Sequence, residues 1–106
     1  MNTALPLPIE RIGQICRRYD VVELSVFGSV LRDDFSADSD VDLLVTFRPG
    51  VDFGPWMSRF FELQEELCCL LHRPVDLVPR QDVERSENYI RRQNILRTAE
   101  PIFVAR

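Results

Sequence analysis

Two short apolar runs, V-V-E-L-S-V-F at residues 21–27 and V-D-L-L-V-T-F at residues 41–47, lie close together in the chain. Each alternates with period two, which is the signature of a half-buried strand. Val22, Leu24 and Val26 share one side of the first. Val41, Leu43, Val45 and Phe47 share one side of the second, with Asp42, Leu44 and Thr46 on the other. A parallel pair needs a crossover connection, usually a helix. Here only Val30-Leu31-Arg32 has the makings of a helical turn before the polar loop of residues 33–39, which Phe35 is expected to anchor. The two runs are therefore expected to be antiparallel neighbours. Gly28-Ser29 breaks the first run, and Asp40 and Asp42 open the second on one and the same side.

The remaining segments dress this pair. Ile9, Ile12, Ile15, Cys16 and Tyr19 recur at helical spacing within residues 6–19, with Pro8 in the first turn, where proline is tolerated. Residues 55–72 form a longer amphipathic pattern: Phe60, Leu63, Leu67, Leu70 and Leu71 make one stripe, and Glu62, Glu65 and Glu66 lie opposite. Arg73-Pro74 ends it. V-D-L-V at residues 75–78 reads as a short strand interrupted by one acid, Asp76. A turn follows, then a helix over residues 87–99 with Tyr89, Ile90, Ile95 and Leu96 leaning inward, and a terminal extended I-F-V. The expected architecture is α+β: a small mixed β-sheet with helices on one face, in one domain spanning residues 1–106.

Composition excludes several classes. The net charge of −4 argues against broad nucleic-acid binding through a basic surface. No apolar run approaches the ~18 residues of a membrane span, and the first residues lack the apolar core of a signal peptide. A cytoplasmic protein is the expectation. The three cysteines (Cys16, Cys68, Cys69) have no C-x-x-C spacing, so they read as reduced residues, with at least one of the adjacent pair buried. All thirteen basic residues are Arg, which leaves guanidinium groups to meet any phosphate. The single histidine, His72, falls where a helix ends and suits its dipole.

Asp40 and Asp42 leave a strand on the same face, at roughly 6.5–7 Å between Cα atoms. Two such carboxylates repel unless a cation lies between them. Hard oxygen ligands suit Mg²⁺, which takes one or two carboxylates plus substrate phosphates. Two ions about 3.5–4 Å apart can activate an attacking hydroxyl and neutralise a leaving phosphate. Asp76 is the candidate third carboxylate, since an acid inside an apolar strand is costly without a partner. Gly28 lets a phosphate approach the backbone; Ser29 offers an N–H and a hydroxyl, and Arg32 lies one turn on. Taken singly, each element has an ordinary reading. Gly-Ser is a turn, D-x-D a cap, and Asp33, Asp34 and Asp38 solvated loop charge; Arg32 can pair with Asp33 or Asp34, and Asp76 can sit at a solvated sheet edge. The conjunction is what has no ordinary reading.

That conjunction, Gly28-Ser29, ten residues, then Asp40-x-Asp42, resembles the signature of the DNA polymerase β-like nucleotidyltransferases. The fuller string G-S-V-L-R-D-D-F-S-A-D-S-D-V-D-L-L-V resembles their minimal nucleotidyltransferase (MNT) branch, with Asp76 in P-V-D-L-V at the third acidic position. Leu31 and Asp33 depart from the Ala and Gly usual there. The resemblance implies a palm-like nucleotidyltransferase fold. Asp40, Asp42 and Asp76 would hold two Mg²⁺ ions and perform catalysis; Gly28, Ser29 and Arg32 would bind ATP. It also implies an antitoxin that transfers AMP from ATP to a tyrosine of a HEPN ribonuclease toxin, with no direct nucleic-acid or membrane binding. Two alternatives stay open at this point: a non-catalytic antitoxin that masks its partner, and a transferase for a small molecule such as an antibiotic.

Overall fold

The computed structural model describes residues 7–28 and 40–105. Its element order is α1 (Ile9–Arg18), β1 (Val21–Phe27), β2 (Val41–Phe47), α2 (Ser58–Leu71), β3 (Val75–Pro79), α3 (Arg80–Glu84), α4 (Tyr89–Thr98) and β4 (Glu100–Val104). The four strands make one sheet in the order β3-β2-β1-β4. β1 and β2 pair antiparallel, as expected, with Leu24 opposite Val45 and Val26 opposite Leu43. β4 pairs antiparallel with the other edge of β1. β3 runs parallel to β2, and α2 is the crossover that returns the chain to the same end of the sheet.

Strand alternation divides the sheet into two chemically distinct faces. Leu24, Val26, Val41, Leu43, Val45, Val75 and Leu77 face the main core, where they meet Ile12, Ile15 and Cys16 of α1 and Phe60, Leu63, Leu67 and Leu71 of α2. Leu24, Leu43, Leu63 and Leu67 are fully buried there. The α+β class and mixed sheet agree with expectation, but the helices do not all lie on one face. Val83 of α3 and Ile95 of α4 pack with Phe27 and Leu44, whose side chains leave the opposite side of the sheet. Val83 and Ile95, with half-buried Leu96 and Ala99 beside them, hold these short helices on the apolar footing of Phe27 and Leu44.

Helix boundaries follow local chemistry. Asn88 caps α4 by accepting the Arg91 backbone N–H at 3.1 Å. Only the second half of α4 packs on the sheet: Ile95 is buried, but Tyr89 and Ile90 are exposed rather than inward-leaning. α2 starts at Ser58 and not at residue 55. Gly54, Trp56 and Met57 all have positive φ, so residues 55–57 form a 3₁₀ turn kinked away from the helix axis. His72 ends α2 in the left-handed conformation, exposed as expected of a residue at a helix C-terminus. All three cysteines are free; Cys16 is buried and Cys68 half-buried, whereas Cys69 is exposed. Neither member of the adjacent pair is therefore fully buried. Among the described residues no helix is long and apolar enough to cross a membrane.

Candidate active site

The acids gather where β1 ends and β2 and β3 begin. The Val41 backbone N–H donates to the Pro74 carbonyl at 2.9 Å, which aligns the mouths of the two parallel strands. From that alignment Val41 lies beside Val75 and Asp42 beside Asp76. Register partners in a sheet share a face, so the Asp42 and Asp76 side chains emerge side by side, one strand spacing (roughly 4.8 Å) apart. Asp40 lies two residues before Asp42 and shares its face. All three leave the sheet on the side of Leu44 and Phe27, opposite the main core.

On its other side Asp42 pairs with Phe27, the last residue of β1. Gly28 comes next, with φ +73°. A Cβ built there would lie 2.3 Å from Asp42 Oδ2 and 3.2 Å from its Cγ. The glycine is thus required twice: the left-handed backbone disfavours any L side chain, and the space a side chain would fill belongs to the Asp42 carboxylate. The backbone at Gly28 and the carboxylate of Asp42 consequently present a single continuous polar surface.

Of the residues singled out from sequence, Asp40, Asp42, Asp76 and Gly28 are brought together at this one edge. Ser29 and Arg32 lie outside the described residues, as do Asp33, Asp34, Phe35 and Asp38. Asp42 is half-buried, whereas Asp40 and Asp76 are exposed. Asp76 is therefore not a buried acid in need of a partner. It lies on β3, an edge strand, and its significance comes from its place beside Asp42.

Among the described residues no three acidic, histidine or cysteine side chains converge into a metal-binding group. A closed cage is not what Mg²⁺ requires: one or two carboxylates plus substrate oxygens suffice. The donor set is all oxygen, and the Asp42 carboxylate lies against the Gly28 backbone. The residues present fit such an ion, with Asp42 as the central ligand.

α3 and α4 pack on the same face of the sheet, over Phe27 and Leu44. Between α4 and the end of β1 lies a cavity of about 500 Å³, lined by Phe27, Gly28, Arg91, Asn94, Ile95 and Thr98 among others. Sequence reading did not single out Arg91, Asn94 or Thr98. They recur at i, i+3 and i+7, a polar stripe in its own right, but α4 was read only through its apolar residues.

Comparison with known proteins agrees with this geometry. Residues 9–98 match the family model described as a nucleotidyltransferase domain. The protein adenylyltransferase MntA of Thermococcus cleftensis is 39% identical over 71 residues, covering 67% of this chain and 68% of that one. A solved structure described as a minimal nucleotidyltransferase superposes with a TM-score of 0.67 at 33% identity, over 88% of this chain and 87% of that one. The structure of a tri-AMPylated Shewanella oneidensis HEPN toxin in complex with an MNT antitoxin contains the same fold. It matches with a TM-score of 0.58 at 21% identity, over 92% of this chain and 70% of the other. With its strand order, its paired acids and its glycine turn accounted for, the chain belongs to the nucleotidyltransferase family, in its minimal branch.

Proposed function

We propose that the chain is a Mg²⁺-dependent protein adenylyltransferase and antitoxin, moving AMP from ATP to a tyrosine hydroxyl of a HEPN toxin. The observation that carries this reading is the register match of Asp42 with Asp76 directly beside Gly28. A phosphate-tolerant turn and a pair of carboxylates on adjacent strands are what in-line transfer at a phosphorus atom needs. The adenylyltransferase relative and the AMPylated toxin complex support the choice of donor and acceptor.

In this reading the acceptor oxygen attacks the α-phosphorus of ATP. The bond from that phosphorus to the bridging oxygen breaks, and pyrophosphate leaves with the bond's electron pair. Gly28 and Ser29 hold the polyphosphate, with Arg32 offsetting its charge. Asp40 and Asp42 would hold Mg²⁺, which when bound supplies positive charge against the phosphate oxygens. Asp76, exposed at the β3 edge, accepts a hydrogen bond from the incoming hydroxyl and then its proton. Exposure suits that role, because a protein side chain must reach it.

The test uses the full chain, Mg²⁺, ATP labelled at the α-phosphate, and a candidate HEPN protein. Label is expected on a tyrosine of the partner, and Asp42→Ala is expected to abolish it. Label that never reaches the partner, or that reaches it equally with Asp42→Ala, would overturn the proposal.

A further inference from the structure

Resting on the transferase reading above, we infer that the chain also modifies itself: Tyr89 is an acceptor of AMP, presented by one copy of the chain to the acidic edge of another.

Accessibility supplies the first argument. The chain has two tyrosines. The Tyr19 hydroxyl donates to Glu66 Oε2, and the neighbouring helix α1 packs on the core face, away from the acids. That oxygen must give up Glu66 before it can attack anything. Tyr89 is placed differently. It is the first residue of α4 and is 60% exposed, and among the described residues its hydroxyl makes no hydrogen bond. The turn that carries it stands off the sheet. Ile90 beside it is exposed as well, and Ile95 is the residue that buries α4. A tyrosine so mounted can enter a site on another molecule without disturbing the packing of its own.

Charge supplies the second. α4 carries Arg91, Arg92 and Arg97 and no acid. The Arg92 guanidinium lies 5.2 Å from the centre of the Tyr89 ring. It is held there by the Glu84 and Ser86 carbonyls, each accepting from Arg92 Nη1 at 3.4 Å. Arg91 is exposed beside it. The edge that receives the tyrosine carries Asp40, Asp42 and Asp76, the first and last of them exposed. One chain thus displays two surfaces of opposite sign, which favours the encounter of two copies in this orientation. The arginines also suit what forms there, a phosphodiester on the phenol oxygen. Within one chain the ring is tied through Arg92 to the carbonyls at the end of α3. That helix starts from Pro79, the end of β3 away from Asp76. The acceptor therefore belongs to a second copy.

The step is that of the transferase itself. The Tyr89 oxygen of one copy attacks the α-phosphorus of ATP held by the other. The bond from that phosphorus to the bridging oxygen breaks, pyrophosphate leaves with the electron pair, and the phenol proton passes to Asp76 of the acting copy.

The experiment incubates the full chain with Mg²⁺ and ATP labelled at the α-phosphate, with and without a candidate HEPN protein, and places the label by peptide mass spectrometry. The parent alone is expected to gain AMP on Tyr89, at a rate per chain that rises with chain concentration. Tyr89→Phe is expected to lose that label and to transfer to the HEPN protein as the parent does. The substitution removes an exposed hydroxyl only, so the fold is kept. Asp42→Ala alone is expected to stay unlabelled. Mixed with Tyr89→Phe it is expected to become labelled, because one copy then supplies the site and the other the hydroxyl. Asp40→Ala, at an exposed position, takes its place if circular dichroism shows Asp42→Ala unfolded. Undiminished self-labelling of Tyr89→Phe would overturn the inference, as would an unlabelled mixture beside a labelled parent. Label on the HEPN protein and none on the chain overturns it while leaving the transferase reading standing. Label on neither overturns both.

Discussion

Gly28 and Asp42 occupy one another's space: the position a Cβ would take on the glycine lies 2.3 Å from the aspartate's Oδ2. The contact joins the end of one strand to the start of its neighbour, and it sets the direction in which the central carboxylate points. Gly28→Ala meets two obstacles of different kinds. The positive φ costs about 1–2 kcal/mol in any state that keeps this backbone. The collision is with the tip of a side chain, which can rotate away. Melting temperature is therefore expected to fall by only several degrees, while transfer activity falls at least tenfold because Asp42 is turned from its place. A large activity loss with a small stability loss, read by thermal denaturation beside the transfer assay, is the pattern to look for.

Asp76→Asn should separate activity from stability in the other direction. Two carboxylates on adjacent strands repel, and Asp76 is exposed. Neutralising it removes repulsion and buries nothing new. Stability is expected to stay within about 0.5 kcal/mol of the parent or to rise. Transfer is expected to fall about a hundredfold or more, within the usual contribution of a positioned proton acceptor. Denaturant titration together with initial rates checks both.

Tyr19 gives the fold an alkaline limit. Its hydroxyl donates to Glu66 Oε2, and Arg18 meets Oε1 of the same carboxylate at 2.6 Å. The hydrogen bond to Glu66, followed by burial and the neighbouring acids, pushes the phenol up to about 12. A folded value raised above the ordinary 10 means that the contribution is complete below pH 10 and is lost as pH rises toward 12. Burial raises the Cys16 thiol from about 9 to about 12 in the same sense. Stability is therefore expected to decline between about pH 9 and 12. Tyr19→Phe should lower stability at pH 8 by about 1 kcal/mol and flatten the upper part of that decline. Urea titrations at several pH values would show it. Over pH 7–8.5, thiol reagents should modify exposed Cys69 and leave Cys16 untouched in the native state.

Gly13 lies inside α1 with the Phe103 ring over it, and an added Cβ would meet Phe103 Cδ1 at 3.4 Å, an ordinary van der Waals distance. Nothing there requires glycine. Gly13→Ala is expected to stabilise by about 0.5–1 kcal/mol through helix propensity and a less flexible unfolded chain. Activity should be unchanged, since α1 packs on the face away from the acids. A rise in the denaturation midpoint at constant slope is the measurement.

Much of this molecule was written in local pattern. Period-two alternation placed Val41, Leu43 and Val45 toward a core, and parity alone then put Asp40 and Asp42 together on the opposite side. The lack of a helical pattern in the connection pointed to antiparallel β1 and β2. The stripe of Phe60, Leu63, Leu67 and Leu71 is strong enough to identify α2 without help, because a wide apolar face must be buried somewhere. Three things were not local. The partnership of Asp76 with Asp42 depends on a register between segments more than thirty residues apart, fixed by the Val41–Pro74 hydrogen bond and the length of α2. The site of α3 and α4 on the second face was hidden because so few side chains hold them there. In α4 polar and apolar residues are mixed around the helix, so spacing could not say that Ile95 goes in while Tyr89 and Ile90 stay out. The sequence by itself determined the strands, the glycine turn and the shared face of two acids, since these follow from the geometry of neighbouring residues. Only the tertiary structure decided that Asp76 lies in register beside Asp42 and which helices pack on that face of the sheet, since pairing between distant segments is settled by packing.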